Sequence, residues 1–205
     1  KGIENVIEFF GEDLAIRLKK EGKQSDLILG NNVLAHVPGL NDFVRGLKIL
    51  LKPSGVMTFE FPHLIKLIEK KEFDTIYHEH FSYFSFYFIC NLFKFHGFEV
   101  FDVEQLETHG GSLRVYIKHK ENEQQCVKEN VTILLNEELQ KGINKINFYT
   151  GFQEKAIDIK NKFLLYILSE KQKGKQIIAF GAAAKGNTFL NYCGLKNDTI
   201  KCVID

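Results

Sequence analysis

The first half of this 205-residue chain alternates two hydrophobic periods, and that alternation restricts its fold more than any other feature. SDLILGNN is a compact apolar run that breaks into asparagines, the pattern of a buried parallel strand leading into a loop. The next segment, NDFVRGLKILLKPSG, carries Phe43, Leu47, Leu50 and Leu51 at i, i+4, i+7 and i+8, one face of an amphipathic helix. Pro53-Ser54-Gly55 is expected to end that helix in a turn, and VMTFEFP reads as the following strand. Upstream, ENVIEFF has strand character, and GEDLAIRLKKEG reads as a short helix closed by Gly22. Strand and helix exchanging at this spacing imply an α/β layer built on a mostly parallel sheet.

Further along, Ser85 stands where it can cap a helix whose inward face includes Ile89, Leu92 and Phe93, with Gly97 as its stop. GFEVFDVEQL and GSLRVYIKH then read as two strands forming an antiparallel pair at a sheet edge. Residues 121–173 change character to long polar helices, with Phe152, Ala156, Ile159, Phe163 and Ile167 as a helical stripe. KQIIAFGAAAKGNTFLNYCG reads as a strand, a small-residue turn and a helix, and IKCVID as another buried strand. The expected organisation is therefore one α/β domain over residues 1–120, a helical connector over 121–173, and the start of a second α/β domain over 174–205. The chain opens without methionine and stops on a strand-like segment, so both ends read as cuts from a longer protein.

Composition excludes several classes of function. With 44% hydrophobic and 26% charged residues the chain is of the globular type. A formal charge of +1 gives no reason to expect nucleic acid or an anionic membrane as partner. The most apolar run, FSYFSFYFICNLF, is too short and too interrupted to span a bilayer. Cysteines at 90, 126, 193 and 202 form no CxxC pair, which argues against a disulfide framework or a zinc cluster and fits a reduced, cytoplasmic setting.

Chemistry is expected where parallel strands end, because ligands of open α/β sheets bind beyond the carboxyl ends of the strands. Three polar groups fall at such ends: Asn31-Asn32 with His36, then Pro62-His63, then YHEHFSYFS with Tyr77, His78, Glu79 and His80 in a row. The ten Phe or Tyr among residues 81–101 read as core, since burying one contributes roughly 1.5–3 kcal/mol without any ligand. That explanation fails for Tyr77, Glu79 and His80, which must be solvated or satisfy one another. A base, an orienting group and a hydrogen-bond donor side by side suit proton transfer, and an internal structural network has the same signature. His78 and His80 share one side of an extended segment, but two imidazoles alone are not a zinc site, and no metal is expected. In GAAAKGNT, small residues and Lys185 at a helix start suit a phosphate or simply tight strand–helix packing. In THGGSLRVY, two glycines mark a bulge or close contact before Ser112 and Arg114, which alternate onto one face.

NNVLAHVPGLNDFV, LLKPSGVMTFEFP, YHEHFSYFS, HGGSLRVY and GAAAKGNTFLNY, in this order, resemble the S-adenosylmethionine-dependent sugar C-methyltransferases, which build branched deoxysugars on nucleotide carriers. The resemblance covers nearly the whole chain and is weakest over residues 121–173. It implies a partial Rossmann-like methyltransferase sheet, a helical connector and the start of a C-terminal sugar-nucleotide domain. The zinc-binding segment and the glycine-rich cofactor loop of that family would lie upstream of Lys1, so zinc is expected only there. Matched by position, the resemblance makes His80 the base, with Tyr77, Glu79 and His36 around the reacting sugar. Phe10 and Gly11 would border the adenine of S-adenosylmethionine, and Asn31 and Asn32 its methionine portion. Ser112, Lys185 and Asn187 are expected to contact the sugar nucleotide. A methyltransferase acting on another carbon acid, a non-catalytic sugar-nucleotide-binding protein and a metal hydrolase built on His78 and His80 are the competing readings. The sequence fixes neither the sugar nor the oligomeric state.

Overall fold

The computed structural model describes residues 2–205. Helix α1 (Glu12–Lys20) leads to strand β1 (Ser25–Asn31), helix α2 (Leu40–Leu50) to β2 (Leu51–Pro62), and short α3 (Leu64–Lys70) precedes α4 (Phe86–Phe95). Strands β3 (Phe98–Leu106) and β4 (Ser112–His119) close a four-stranded sheet in the order β1-β2-β4-β3. β1 runs parallel to β2, while β4 is antiparallel to both of its neighbours. The sheet is therefore mixed rather than mostly parallel, because β4 returns from a tight hairpin and inserts beside β2 instead of standing at the edge.

One face of this sheet is dry. Met57, Phe59 and Phe61 of β2 and Leu113, Val115 and Ile117 of β4 point into a cluster completed by Phe43 and Leu47 of α2 and by Phe86, Ile89 and Phe93 of α4. Period two from the strands meets period 3.6 from the helices, as the sequence pattern requires. Ser85 caps α4 as expected, its hydroxyl accepting from the Phe88 amide at 3.1 Å. Helices α1 and α2 approach so closely that a β-carbon on Gly46 would lie 2.7 Å from the Gly11 carbonyl oxygen.

Four local expectations are corrected. ENVIEFF forms no strand; residues 4–9 are exposed and irregular, with no neighbouring strand to supply hydrogen bonds. β1 is not buried on both faces: it is an edge strand, and Leu29 is 68% exposed. Pro53-Ser54-Gly55 makes no separate turn but lies within β2, which starts directly from α2 at Leu51. IKCVID yields only a two-residue exposed strand, β6 (Val203–Ile204), parallel to β5 (Ala179–Phe180).

Two helices follow the sheet, α5 (Glu129–Lys141) and α6 (Phe152–Gln172), before α7 (Ala184–Cys193). The stripe on α6 is real, with Ala156 and Ile167 buried. α7 docks onto the 3-10 turn Phe73–Thr75, where the Phe73 ring lies 4.9 Å from that of Tyr192 and 5.9 Å from that of Phe189. Among the described residues no helix is long and apolar enough to cross a membrane.

Besides Asn130, which donates to the Asp102 carboxylate and the Val103 carbonyl of β3, α5 is bonded to the sheet layer through one buried carboxylate of its own. Glu138 is 0% exposed; its oxygens accept from the Phe86 amide at 2.8 Å, the Tyr87 amide at 2.6 Å and His63 Nε2 at 2.7 Å. Negative charge at a helix N-terminus is favourable, and here it also satisfies two otherwise orphaned amides. Glu138→Ala is expected to lower the free energy of unfolding by several kcal/mol, about 1–3 kcal/mol for each buried donor left without its acceptor. Glu138→Gln, which keeps shape and one acceptor, is expected to cost less; urea unfolding of both variants measures the difference.

Candidate active site

Five segments meet at a cavity of about 160 Å³ lined by Asn32, Ala35, His36, Pro62, Thr75, Tyr77, His80, His109 and Lys185. Each arrives from the end of an element. Asn32 follows β1, His36 ends the 3-10 turn Leu34–His36, and Pro62 closes β2. Tyr77 and His80 occupy the loop before α4, His109 the β3–β4 turn, and Lys185 the first turn of α7. Backbone bonds hold the loop in place: His80 N donates to the Tyr77 carbonyl at 3.0 Å and Phe81 N to the Ala35 carbonyl at 2.8 Å.

The hydrogen bonds assign the protons on both central imidazoles. His80 Nδ1 lies 2.9 Å from the Thr75 carbonyl, which can only accept, so Nδ1 carries the proton. Neutral His80 then keeps its lone pair on Nε2, 3.2 Å from the Tyr77 hydroxyl, which donates to it. His36 is fixed in the same way, its Nδ1 donating to the Glu79 carbonyl at 2.9 Å. The two rings meet edge to face with centroids 4.9 Å apart.

Burial pushes the His80 imidazole below its ordinary value; the Thr75 carbonyl opposes this, His36 reinforces it, Glu79 pulls the other way, and Lys185 adds the smallest lowering effect. The ring is thereby kept neutral, the form able to take a proton. Burial, with the Glu79 charge second, holds the Tyr77 hydroxyl above its usual range, so it stays a donor. No carboxylate lines the cavity, while three imidazoles and one ammonium do. Such a lining favours negative charge developing on a bound molecule.

A second hollow of about 380 Å³ adjoins the first and shares His36 with it. Phe9, Phe10, Val33, Val37, Pro38 and Phe43 give it apolar walls, with Glu8 and Asp42 at its rim. Phe10 packs edge-on against Phe43 at 5.3 Å. Aromatic and aliphatic walls with a few acidic groups suit a flat heterocycle on a cationic, polar tail.

The expected residues do not all converge. His80, Tyr77, His36, Asn32 and Lys185 share the cavity, and Phe10 lines the adjoining hollow. Gly11 lies beneath that hollow, where a β-carbon would meet the Asp42 carboxylate at 2.0 Å. The Glu79 side chain, 58% exposed, points outward and contributes its backbone carbonyl instead. Ser112 is 1% exposed, with its hydroxyl donated to the Thr108 carbonyl, so it serves the hairpin turn and is closed to ligand. Asn187 lines a separate apolar cavity of about 460 Å³ beside β5 and α7. Asn31 ends β1 exposed, beside the cavity rather than in its wall. His63, from the Pro62-His63 pair, turns into the core toward Glu138. Arg114 is spent on Glu60 at 2.9 Å, and His78 is 89% exposed.

Thr75 and His109 escaped sequence reading. Thr75 acts through a carbonyl, which no side-chain pattern reveals. His109 stands beside two glycines, and the need for a left-handed residue in that turn was its only signal. Among the described residues, no group of three His, Cys, Asp or Glu is arranged to hold a metal.

Comparison with known proteins finds similarity on both sides of the cavity. Residues 5–103 match the model of a methyltransferase domain, and residues 107–205 that of the C-methyltransferase C-terminal domain. The two matches meet at the end of β3 and together take in nearly the whole chain, so each part of it is similar to a methyltransferase segment. More particularly, the chain is 31% identical over 205 residues to the C-methyltransferase NovU of Streptomyces niveus, covering 100% of itself and 49% of that protein. The chain thus spans about half the length of the curated relative it matches. Among solved structures, a SAM-dependent methyltransferase from Anabaena variabilis overlaps with a TM-score of 0.41 at 16% identity, over 56% of this chain and 57% of that one. M1.HpyAVI gives a TM-score of 0.35 at 14% identity, over 54% of this chain and 52% of that one. Overlap at that level bears no weight.

The proton assignment predicts a pH dependence. A histidine base works neutral, and burial together with nearby positive charge lowers the His80 value. The acidic limb of kcat/KM is therefore expected below pH 6.5. Lys185→Met removes a cation that disfavours the imidazolium, so the limb is expected to move to higher pH. A limb that stays or moves down in the variant's pH–rate profile contradicts the assignment.

Proposed function

We propose that this chain supplies the reacting centre of an S-adenosylmethionine-dependent C-methyltransferase whose substrate is a nucleotide-linked deoxysugar bearing a ketone. The observation that carries the reading is His80 Nε2: an unprotonated nitrogen facing a small cavity that no carboxylate enters. The matched family domains and the similarity to NovU support the same class.

Carbon beside a ketone becomes nucleophilic only when it loses a proton. His80 Nε2 takes that proton as the C–H bond breaks, and the electron pair moves into an enolate. The Tyr77 hydroxyl, kept protonated by burial, turns from Nε2 to donate to the enolate oxygen, and Lys185 offsets the developing charge. His36, pinned by the Glu79 carbonyl, offers its free Nε2 face to the substrate side and forms the wall shared with the adjoining hollow. That hollow fits the cofactor, with Phe10 and Phe43 beside the base and Asp42 at the rim. S-adenosylmethionine supplies an electrophilic methyl group when bound. Asn32 stands at the cavity beside this junction, where it can align the two reactants.

The test uses the protein encoded by its complete gene, incubated with methyl-labelled S-adenosylmethionine and a nucleotide-linked keto-deoxysugar. Label is expected on carbon, seen as a new carbon–carbon coupling by NMR. His80→Asn is expected to lower kcat by about 10²–10⁴ and to abolish deuterium exchange at the carbon beside the ketone. Transfer to oxygen, or near-normal turnover by His80→Asn, would refute the reading. Sugar-nucleotide binding without any transfer would favour a non-catalytic binding protein.

A further inference from the structure

Among the described residues, three non-glycine residues have a left-handed backbone, Asn32 (φ 54°), Lys71 (φ 61°) and His109 (φ 53°). Lys71 ends α3, where that conformation is common. The other two both lie in the cavity wall, and they touch: Asn32 Nδ2 is 3.3 Å from His109 Nε2. The amide nitrogen is a donor, so in this contact His109 accepts on Nε2. Two residues in an uncommon backbone region, joined to one another at a site and far apart in sequence, point to a function.

The two ends of this contact differ in rigidity. His109 sits in a turn fastened on every side. Thr108 Oγ1 donates to Glu60 Oε1 at 3.0 Å, and Arg114 holds the other oxygen of that buried carboxylate at 2.9 Å. The Gly111 carbonyl accepts from His63 N at 2.9 Å, Gly111 N donates to the Thr108 carbonyl at 2.9 Å, and Lys70 Nζ bonds the Gly110 carbonyl. Asn32, by contrast, follows an edge strand with a neighbour on one side only, tied by its own amide to the Glu60 carbonyl at 2.8 Å. The firm turn can therefore hold the looser loop.

We infer that His109 is a positioning residue: it fixes the Asn32 carboxamide, and with it the bend after β1, between the catalytic cavity and the adjoining hollow. The inference rests on the methyl-transfer reading above. His109 itself need not touch the reacting atoms; it acts through Asn32 on the alignment of the two reactants.

Glycine substitutions test this without backbone strain, since glycine adopts the left-handed region freely. In the protein encoded by the complete gene, His109→Gly is expected to lower kcat roughly 10- to 100-fold, the scale of a misaligned reacting pair, with KM for the sugar nucleotide little changed. Asn32→Gly is expected to do the same. The double variant should be no slower than the worse single, because the two side chains act as one unit. Should His109→Gly fail to fold, His109→Asn carries the test, as asparagine tolerates the same backbone region. A wild-type enzyme that methylates carbon while His109→Gly keeps normal kcat overturns the inference alone. Losses that multiply in the double variant also overturn it. A wild-type protein that transfers no methyl to carbon overturns the reading beneath it instead.

Discussion

The buried Glu138 carboxylate is the interaction on which the rest of the structure leans. It comes from α5, beyond the sheet, and meets the first amides of α4 and the imidazole that follows β2. A charge wholly out of water is tolerated only when its hydrogen-bonding capacity is filled, and three donors do so here. Because one partner is His63, directly after Pro62 in the cavity wall, the same carboxylate sets where β2 ends. Because the others begin α4, it also sets where the loop carrying Tyr77 and His80 must stop. The loop carrying Tyr77 and His80 is thus stretched between two points fixed by a single side chain.

Within that frame the reactive state of the site is chosen by backbone carbonyls, not by acids. Thr75 and Glu79 each offer a carbonyl oxygen to the Nδ1 of an imidazole, and each leaves Nε2 free. A carboxylate in the same place would favour the charged ring and raise its affinity for protons. A carbonyl orients the ring with much less of that effect, so burial, with smaller help from His36 and Lys185, can keep His80 neutral. The absence of acidic side chains from the cavity wall suits the proposed reaction twice, holding His80 neutral beforehand and favouring an enolate afterwards.

Much of this was legible in the sequence, and the reasons differ by residue. The amphipathic pattern of α2, the Ser85 cap and the antiparallel β3–β4 pair are local signals, and they hold. The convergence of Asn32, His36, Tyr77 and His80 followed from placing each at the end of a strand or in the loop beyond. What the sequence could not carry was direction. Glu79 lies between His78 and His80, yet faces outward, because the loop turns at Tyr77 rather than extending. Ser112 has the polarity of a ligand contact but stands at the first residue of β4, a central strand, where its hydroxyl must be satisfied internally. ENVIEFF has strand propensity and no strand beside it, and propensity without a partner for its backbone does not make a strand.

Neither of the two matched family segments contains the cavity by itself. Asn32, His36, Tyr77 and His80 belong to residues 5–103; His109 and Lys185 belong to residues 107–205. The join is made by the short turn Phe73–Thr75. Its first residue packs against Tyr192 and Phe189, which seats α7 and brings Lys185 to the cavity; its last offers the carbonyl that aims His80. Any shift of α7 on Phe73 therefore moves the cation and disturbs the anchor of the base together. The proposed reaction, which needs a neutral histidine before proton transfer and a nearby positive charge after it, gains from having both controlled by one three-residue turn.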